Sequence, residues 1–162
     1  MNHKGIDNFL LGIAEATNAL ISLKLEQGLK ITLNTLCDNL NITAAGVYIN
    51  DLDANGKQIS SLKFYKSNSP SIARVEHNQK IRFTQFNKLF KILSQGHSFE
   101  ATYSESEGLL REHMKIDHTM SVALFPIMVR GQLWGALSLS DSEFERKWAI
   151  SEKQETVLRW WH

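Results

Sequence analysis

The sequence predicts an α+β domain in which an antiparallel sheet lies between two helical layers. Three observations lead there. Residues 121–141, SVALFPIMVRGQLWGALSLSD, read as two apolar strands joined by a tight turn at Arg130-Gly131, and a hairpin connection makes the pair antiparallel. Both strands are apolar on each face, which puts them inside a sheet covered on both sides. A second strand pair with an Asn55-Gly56 turn, and apolar rows at helical spacing on either side of it, supply the outer strands and the two layers.

Each element has its own pattern. Ile6, Phe9, Leu10, Ile13, Thr17, Leu20 and Ile21 recur at helical spacing, and Leu25, Leu29, Leu33, Leu36 and Leu40 form a second row. A break near Ser22-Leu23 separates two helices or bends one long one. Turn residues at Asn39–Asn41 end the second row. Residues 45–50 are a strand with Val47 and Ile49 on one side and Tyr48 on the other, and residues 58–66 are its return strand. Residues 67–82 are polar, include Pro70 and few apolar residues, and predict a short strand. A helix opens at Thr84, with Phe86, Leu89, Phe90 and Leu93 on one face, and Gly96 ends it. Residues 98–103 are a short strand. Residues 105–115 are a helix with Leu109, Leu110 and Met114 inward; Ser104–Glu107 supply a cap and acids suited to its start. After the hairpin, Ser151 caps a last helix, Gln154 completes a capping box, and Val157, Leu158 and Trp161 are its apolar stripe.

A turn centred on Arg130-Gly131 fixes the hairpin's faces. Val129 then opposes Gln132, Ile127 opposes Trp134, Phe125 opposes Ala136, and Ala123 opposes Ser138. That face mixes aromatics with small residues and can enclose a cavity, unless a neighbouring helix fills it. The other face, with Val122, Leu124, Leu133, Leu137 and Leu139, is aliphatic and suits close packing on helices. Pro126 cannot donate to the ladder, so the strand bulges or lacks a partner there.

Composition narrows the function. At 162 residues the chain is one domain, 1–162. The net charge of +1 gives no case for nucleic acid or an acidic membrane. No segment approaches the roughly 20 apolar residues of a membrane span. The start MNHKGIDNFL lacks the apolar core and cleavage site of a signal peptide. One cysteine, Cys37, allows no internal disulfide and fits a cytoplasmic protein; its place beside Leu36 and Leu40 reads as structural.

Chemical motifs are sparse. The histidines are His3, His77, His97, His113, His118 and His162; no two share the spacing of a helical metal site, and there is no HExxH, GxGxxG or GxxxxGK[ST]. Glu112-His113 and Asp117-His118 set carboxylates beside imidazoles, but adjacent helical residues point apart. Neither a metal nor a cofactor is expected. Trp148, Trp160 and Trp161 cluster near the end of the sequence, where they pack on the sheet or join the N-terminal row in a dimer-forming bundle.

The chain resembles the GAF domain, a small sensory module of signalling proteins. LEQGLKITLNTLCDNLNITAAGVYIND is similar to that family's second helix and first strand, HTMSVALFPIMVRGQLWGALSLS to its strand–turn–strand hallmark, and WAISEKQETVLRWW to its closing helix. The resemblance implies a six-stranded antiparallel sheet of GAF/PAS-like form, terminal helices on one face, middle helices on the other, and a pocket on the face opposite the terminal helices. It implies a non-catalytic regulatory role in two-component or cyclic-dinucleotide signalling. An unidentified small ligand would act through the terminal helices on an effector such as a histidine kinase, HD or GGDEF domain. Bilin-binding members carry a cysteine near the helix before the hairpin, and residues 105–118 have none. Members that reduce free methionine sulfoxide need several cysteines. Members that bind cyclic nucleotides carry a longer signature, of which only Asn87-Lys88 is present. Pocket candidates are Tyr48, Phe86, Tyr103, Arg111, Phe125 and Trp134, with Arg111 fixing an anion. Leu10, Ile13, Val157 and Trp161 are candidates for a homodimer, and a ligand-free dimerising spacer is the rival function. An enzyme using Glu112, His113 and His118 is a third.

Overall fold

The computed structural model describes residues 5, 8–13, 25–68 and 72–148. Six strands form one antiparallel sheet in the order β3-β2-β1-β6-β5-β4. They are β1 (Ala44–Leu52), β2 (Gln58–Ser67), β3 (Ile81–Arg82), β4 (Phe99–Thr102), β5 (Ser121–Val129) and β6 (Gln132–Asp141). The helices are α1 (residues 8–13), α2 (Leu25–Leu40), α3 (Ile72–His77), α4 (Asn87–Ser94) and α5 (Gly108–Ile116), with a 3₁₀ turn at Phe83–Phe86 before α4. Both strands of the apolar hairpin are interior, as their two-sided hydrophobicity requires.

Two cores lie on opposite faces. Phe9 and Ile13 of α1 and Leu29, Leu33, Leu36 and Cys37 of α2 pack on Val47, Ala123, Phe125, Leu137 and Leu139. Burial, with Asp38 beside it, pushes the Cys37 thiol up to about 11, so it stays a protonated packing residue. On the other face Phe90 and Leu93 of α4 pack on Ala136, with Phe83, Phe86, Leu89, Leu124 and Leu133 around them. Residues from the middle of the chain therefore cover one face, and those from its first part cover the other. Asp141 ties the far ends together: its carboxylate accepts from the Glu143 and Phe144 amides and from Arg146 Nε, whose Nη1 donates to the Leu40 carbonyl.

The hairpin register corrects the face assignment. Val129 pairs with Gln132 and Met128 with Leu133, but Ile127 pairs with Gly135, leaving Trp134 as an extra residue on β6. Beyond this bulge Phe125 opposes Leu137 and Ala123 opposes Leu139. A slip of one residue exchanges the faces of a strand. Leu137 and Leu139 consequently join Phe125 and Ala123 on the face under α1 and α2, while Ser138 joins Val122 and Leu124 under the middle helices. Glycine at 135 makes the bulge possible, because a Cβ there would stand 2.1 Å from the Tyr48 carbonyl oxygen of the neighbouring β1. The turn itself is as expected, with positive φ at Arg130 (50°) and Gly131 (76°).

Three other boundaries differ. Residues 67–82 contain α3 as well as β3. A second bulge leaves Lys63 unpaired on β2, and the Leu62 amide next to it donates to the Asn78 carbonyl, fixing α3 to the sheet. The helix expected from Thr84 is a 3₁₀ turn first and α-helical from Asn87. The helix α5 begins at Gly108, and Ser106 Oγ bonds back to the Thr102 carbonyl instead of capping it. The break near Ser22, the helix from Ser151, Val157 and Trp161 lie outside the described residues.

Candidate functional site

The face under the middle helices encloses a cavity of about 90 Å³. That is several times the roughly 10–15 Å³ that holds one water, so it suits a small molecule. Its walls are apolar: Leu89, Phe90 and Leu93 from α4, Leu110 and Met114 from α5, and Val122, Leu124 and Leu133 from the hairpin. One end is polar, and Tyr48, Arg74, Asn78, His113 and Asp117 meet there.

Asn78 organises that end. It follows α3 and is only 1% exposed, yet its amide is fully engaged. Its Nδ2 donates to the Arg74 carbonyl (2.8 Å) and to Asp117 Oδ2 (2.9 Å). Its Oδ1 accepts from the Tyr48 hydroxyl (2.9 Å) and lies 2.8 Å from His113 Nε2. Tyr48 comes from the central strand β1, on the face opposite Val47. Burial, reinforced by the charge of Asp117, raises its pKa above the ordinary phenol value, so its hydroxyl remains a donor.

Asp117, at the end of α5, receives two imidazoles. His77 Nδ1 lies 3.0 Å from Oδ1 and His113 Nε2 lies 3.3 Å from Oδ2. The rings stack with centroids 4.2 Å apart, and the edge of Phe86 meets His113 at 5.5 Å. Burial works to raise the Asp117 pKa. Hydrogen bonds from His113, Asn78 and His77 outweigh it and hold the carboxyl below the ordinary carboxylate value. An ionised carboxylate only accepts, so the nitrogens facing it carry their protons. Arg74 reaches Ser140 Oγ (2.8 Å) and stacks its guanidinium over Tyr65. His77, His113 and Asp117 are a set whose ligand atoms could hold a metal ion, lying within 4.8 Å of one another.

Of the residues singled out in the sequence, Tyr48 and Phe86 line this cavity. Phe125 packs on Phe9 at 5.8 Å on the opposite face, and Trp134, the bulge residue, joins the same side. Arg111 lies over the Tyr103 ring at 4.7 Å, and neither borders the cavity. Ile13 is 4% exposed within the domain's own core. Of the proposed catalytic trio, His113 is in the cluster, while Glu112 and His118 are exposed outside it. His77, Asn78 and Arg74 were missed because they sit in the unpatterned polar segment. One signal was available: His113 and Asp117 stand four apart across the end of a helix, as do Arg74 and Asn78.

A sequence model of the GAF domain matches residues 24–159. The chain belongs to the GAF domain family. Solved GAF domains share its fold at low identity. The phycoerythrobilin-bound GAF domain of a cyanobacterial phytochrome is 15% identical, with 94% of this chain and 90% of that one covered and a TM-score of 0.67. The GAF domain of a phosphoenolpyruvate-protein phosphotransferase from Coxiella burnetii is 19% identical, with coverages of 93% and 86% and a TM-score of 0.65. A domain of a putative two-component sensor histidine kinase from Sinorhizobium meliloti is 15% identical, with 85% of each chain covered and a TM-score of 0.57. No curated protein matches the chain in sequence. Among the described residues no helix is long and apolar enough to cross a membrane.

Proposed function

We propose that this GAF domain is a non-catalytic regulatory module that binds a small, mostly apolar molecule with a polar head. The supporting observation is the cavity itself, apolar along its walls and polar at the Tyr48–Asn78–Asp117 end. Apolar contact would supply most of the affinity, and the fixed polar groups would set orientation. Arg74 is positive and Asp117 negative, so a head group carrying both acceptor and donor atoms fits best.

Strands β1 and β6 link the cavity to the opposite layer. Tyr48 bonds into the cluster, and its neighbour Val47 packs among α2 residues. A ligand that prefers one arrangement of the cluster would bias that layer and, through α1 and α2, an effector. A histidine kinase output is a fitting effector, since one similar domain comes from a putative sensor kinase. A dimerising spacer is the second reading. Leu11, 53% exposed on α1 beside half-buried Leu10, favours it.

Methyl-detected NMR with a fragment set of small aromatic and aliphatic acids, amides and amines tests the first reading. Binding should shift the methyls of Leu89, Leu93, Leu124 and Leu133. Absence of any shift there, together with a concentration-dependent dimer that Leu10→Glu dissociates, would favour the spacer.

A further inference from the structure

We propose that His77, His113 and Asp117 form a binding site for one divalent first-row transition metal ion at the polar end of the cavity. The inference does not depend on the organic ligand proposed above: the triad could hold a metal in a domain whose cavity binds no fragment, and the reverse.

Geometry is the first support. The three side chains come from the last turns of two different helices, and one ligand atom of each lies within 4.8 Å of the other two. Ligands about 2.1 Å from a metal stand ~3.0 Å apart at octahedral angles and ~3.4 Å apart at tetrahedral ones. The histidine–carboxylate separations are 3.0 Å from His77 Nδ1 to Oδ1 and 3.3 Å from His113 Nε2 to Oδ2, so an ion between the rings would meet both carboxylate oxygens. Hydrogen bonds span the same distances, so the ion would replace imidazole protons. A neutral imidazole keeps one proton and can move it to the far nitrogen, so the exchange needs no net deprotonation. The rings are stacked at 29° between planes, and their lone pairs do not yet converge on one point. One ring must turn. His77, with its side chain 29% exposed against 19% for His113, is the freer of the two.

The second support lies behind the ligands. Metal sites orient their ligands through outer hydrogen bonds. Asn78 bonds Asp117 Oδ2 and is itself held by the Arg74 carbonyl and the Tyr48 hydroxyl. The carboxylate therefore stays fixed whichever tautomer the histidines adopt. Two imidazoles and one carboxylate suit zinc, iron, cobalt or nickel rather than magnesium or calcium, which favour all-oxygen shells. His113 and Asp117 also line the cavity, so the remaining coordination positions would open onto it and accept a donor atom of a bound molecule.

The test uses the whole chain, stripped with a chelator and titrated with Co²⁺ by visible absorption and with Zn²⁺ by calorimetry. One equivalent should bind, and His77→Ala, His113→Ala and Asp117→Asn should each weaken it by at least ~10-fold. His97→Ala and His118→Ala should bind as the unaltered chain does. No binding at millimolar metal, or unchanged affinity in His77→Ala/His113→Ala, overturns the proposal. Should those variants not fold, long-range ¹H–¹⁵N correlation of the histidine rings in the unaltered chain decides. Zn²⁺ should move His77 Nδ1 and His113 Nε2; movement confined to other histidines, or none, overturns it.

Discussion

Replacing Asn78 by leucine should be among the costliest single changes in the domain. The side chain is 1% exposed and contacts Tyr48 Oη, the Arg74 carbonyl, Asp117 Oδ2 and His113 Nε2 at 2.8–2.9 Å. Leucine matches its size but bonds to none of them. Each lost hydrogen bond is worth about 0.5–1.5 kcal/mol net, and a buried group left unpaired costs more. Cavity water can re-satisfy some of these groups, which brings the total to roughly 3–5 kcal/mol. In a domain of this size each kcal/mol lowers Tm by about 2–4 °C, so a drop of roughly 6–20 °C follows. Urea unfolding followed by tryptophan fluorescence and thermal unfolding followed by circular dichroism both measure it. Asn78→Asp provides a check on cause. It keeps the shape but sets a second carboxylate against Asp117, so it should be least stable above neutral pH and recover as acid protonates the pair. A loss below about 1 kcal/mol for Asn78→Leu would refute the view that this amide organises the cluster.

Three further predictions concern the same architecture. Gly135→Ala should cost about 2–4 kcal/mol, because its Cβ meets the Tyr48 carbonyl at 2.1 Å and must part β1 from β6, whereas Gly56→Ala, in open space at φ 75°, should cost about 1–2; urea titration ranks them. The Asp117 carboxyl has a depressed pKa, so its stabilisation is full above the unfolded value of about 3.9 and is lost as pH falls through the folded value. The Tm gap between the unaltered chain and Asp117→Asn should accordingly narrow in acid. Phe125→Ala should destabilise by about 3–5 kcal/mol yet leave fragment binding unchanged, while Phe86→Ala should weaken fragment binding; paired unfolding and NMR titrations separate the two effects.

The fold was legible because its signals are periodic. Leu29, Leu33 and Leu36 announce α2, Arg130-Gly131 announces the hairpin turn, and the two-sided apolar strands announce a sheet interior. The site was harder to find for two physical reasons. Trp134 looks like any apolar residue in an alternating strand, and its bulge reverses the faces beyond it; Gly135 was the only local hint. That single residue parted Ala136 and Ser138 from Phe125, so the small residues line the cavity and Phe125 lies in the opposite core. The polar cluster has no periodicity at all. Asn78, His77 and Arg74 lie in a segment whose helix is six residues long, too short for a hydrophobic row. Asp117, the partner of Asn78 and His77, lies 39 and 40 positions away from them, so only the folded chain brings the cluster together.

The face of the sheet that holds the hollow decides where the site lies. Pressurised xenon enters apolar cavities and shifts nearby methyl resonances, so it reports that face without any assumed ligand. The methyls of Val122, Leu124, Leu133, Leu89 and Leu93 should respond, and those of Leu33, Leu36 and Leu137 should not. Xenon shifts confined to the α2 face would contradict the bulged register and the site built upon it.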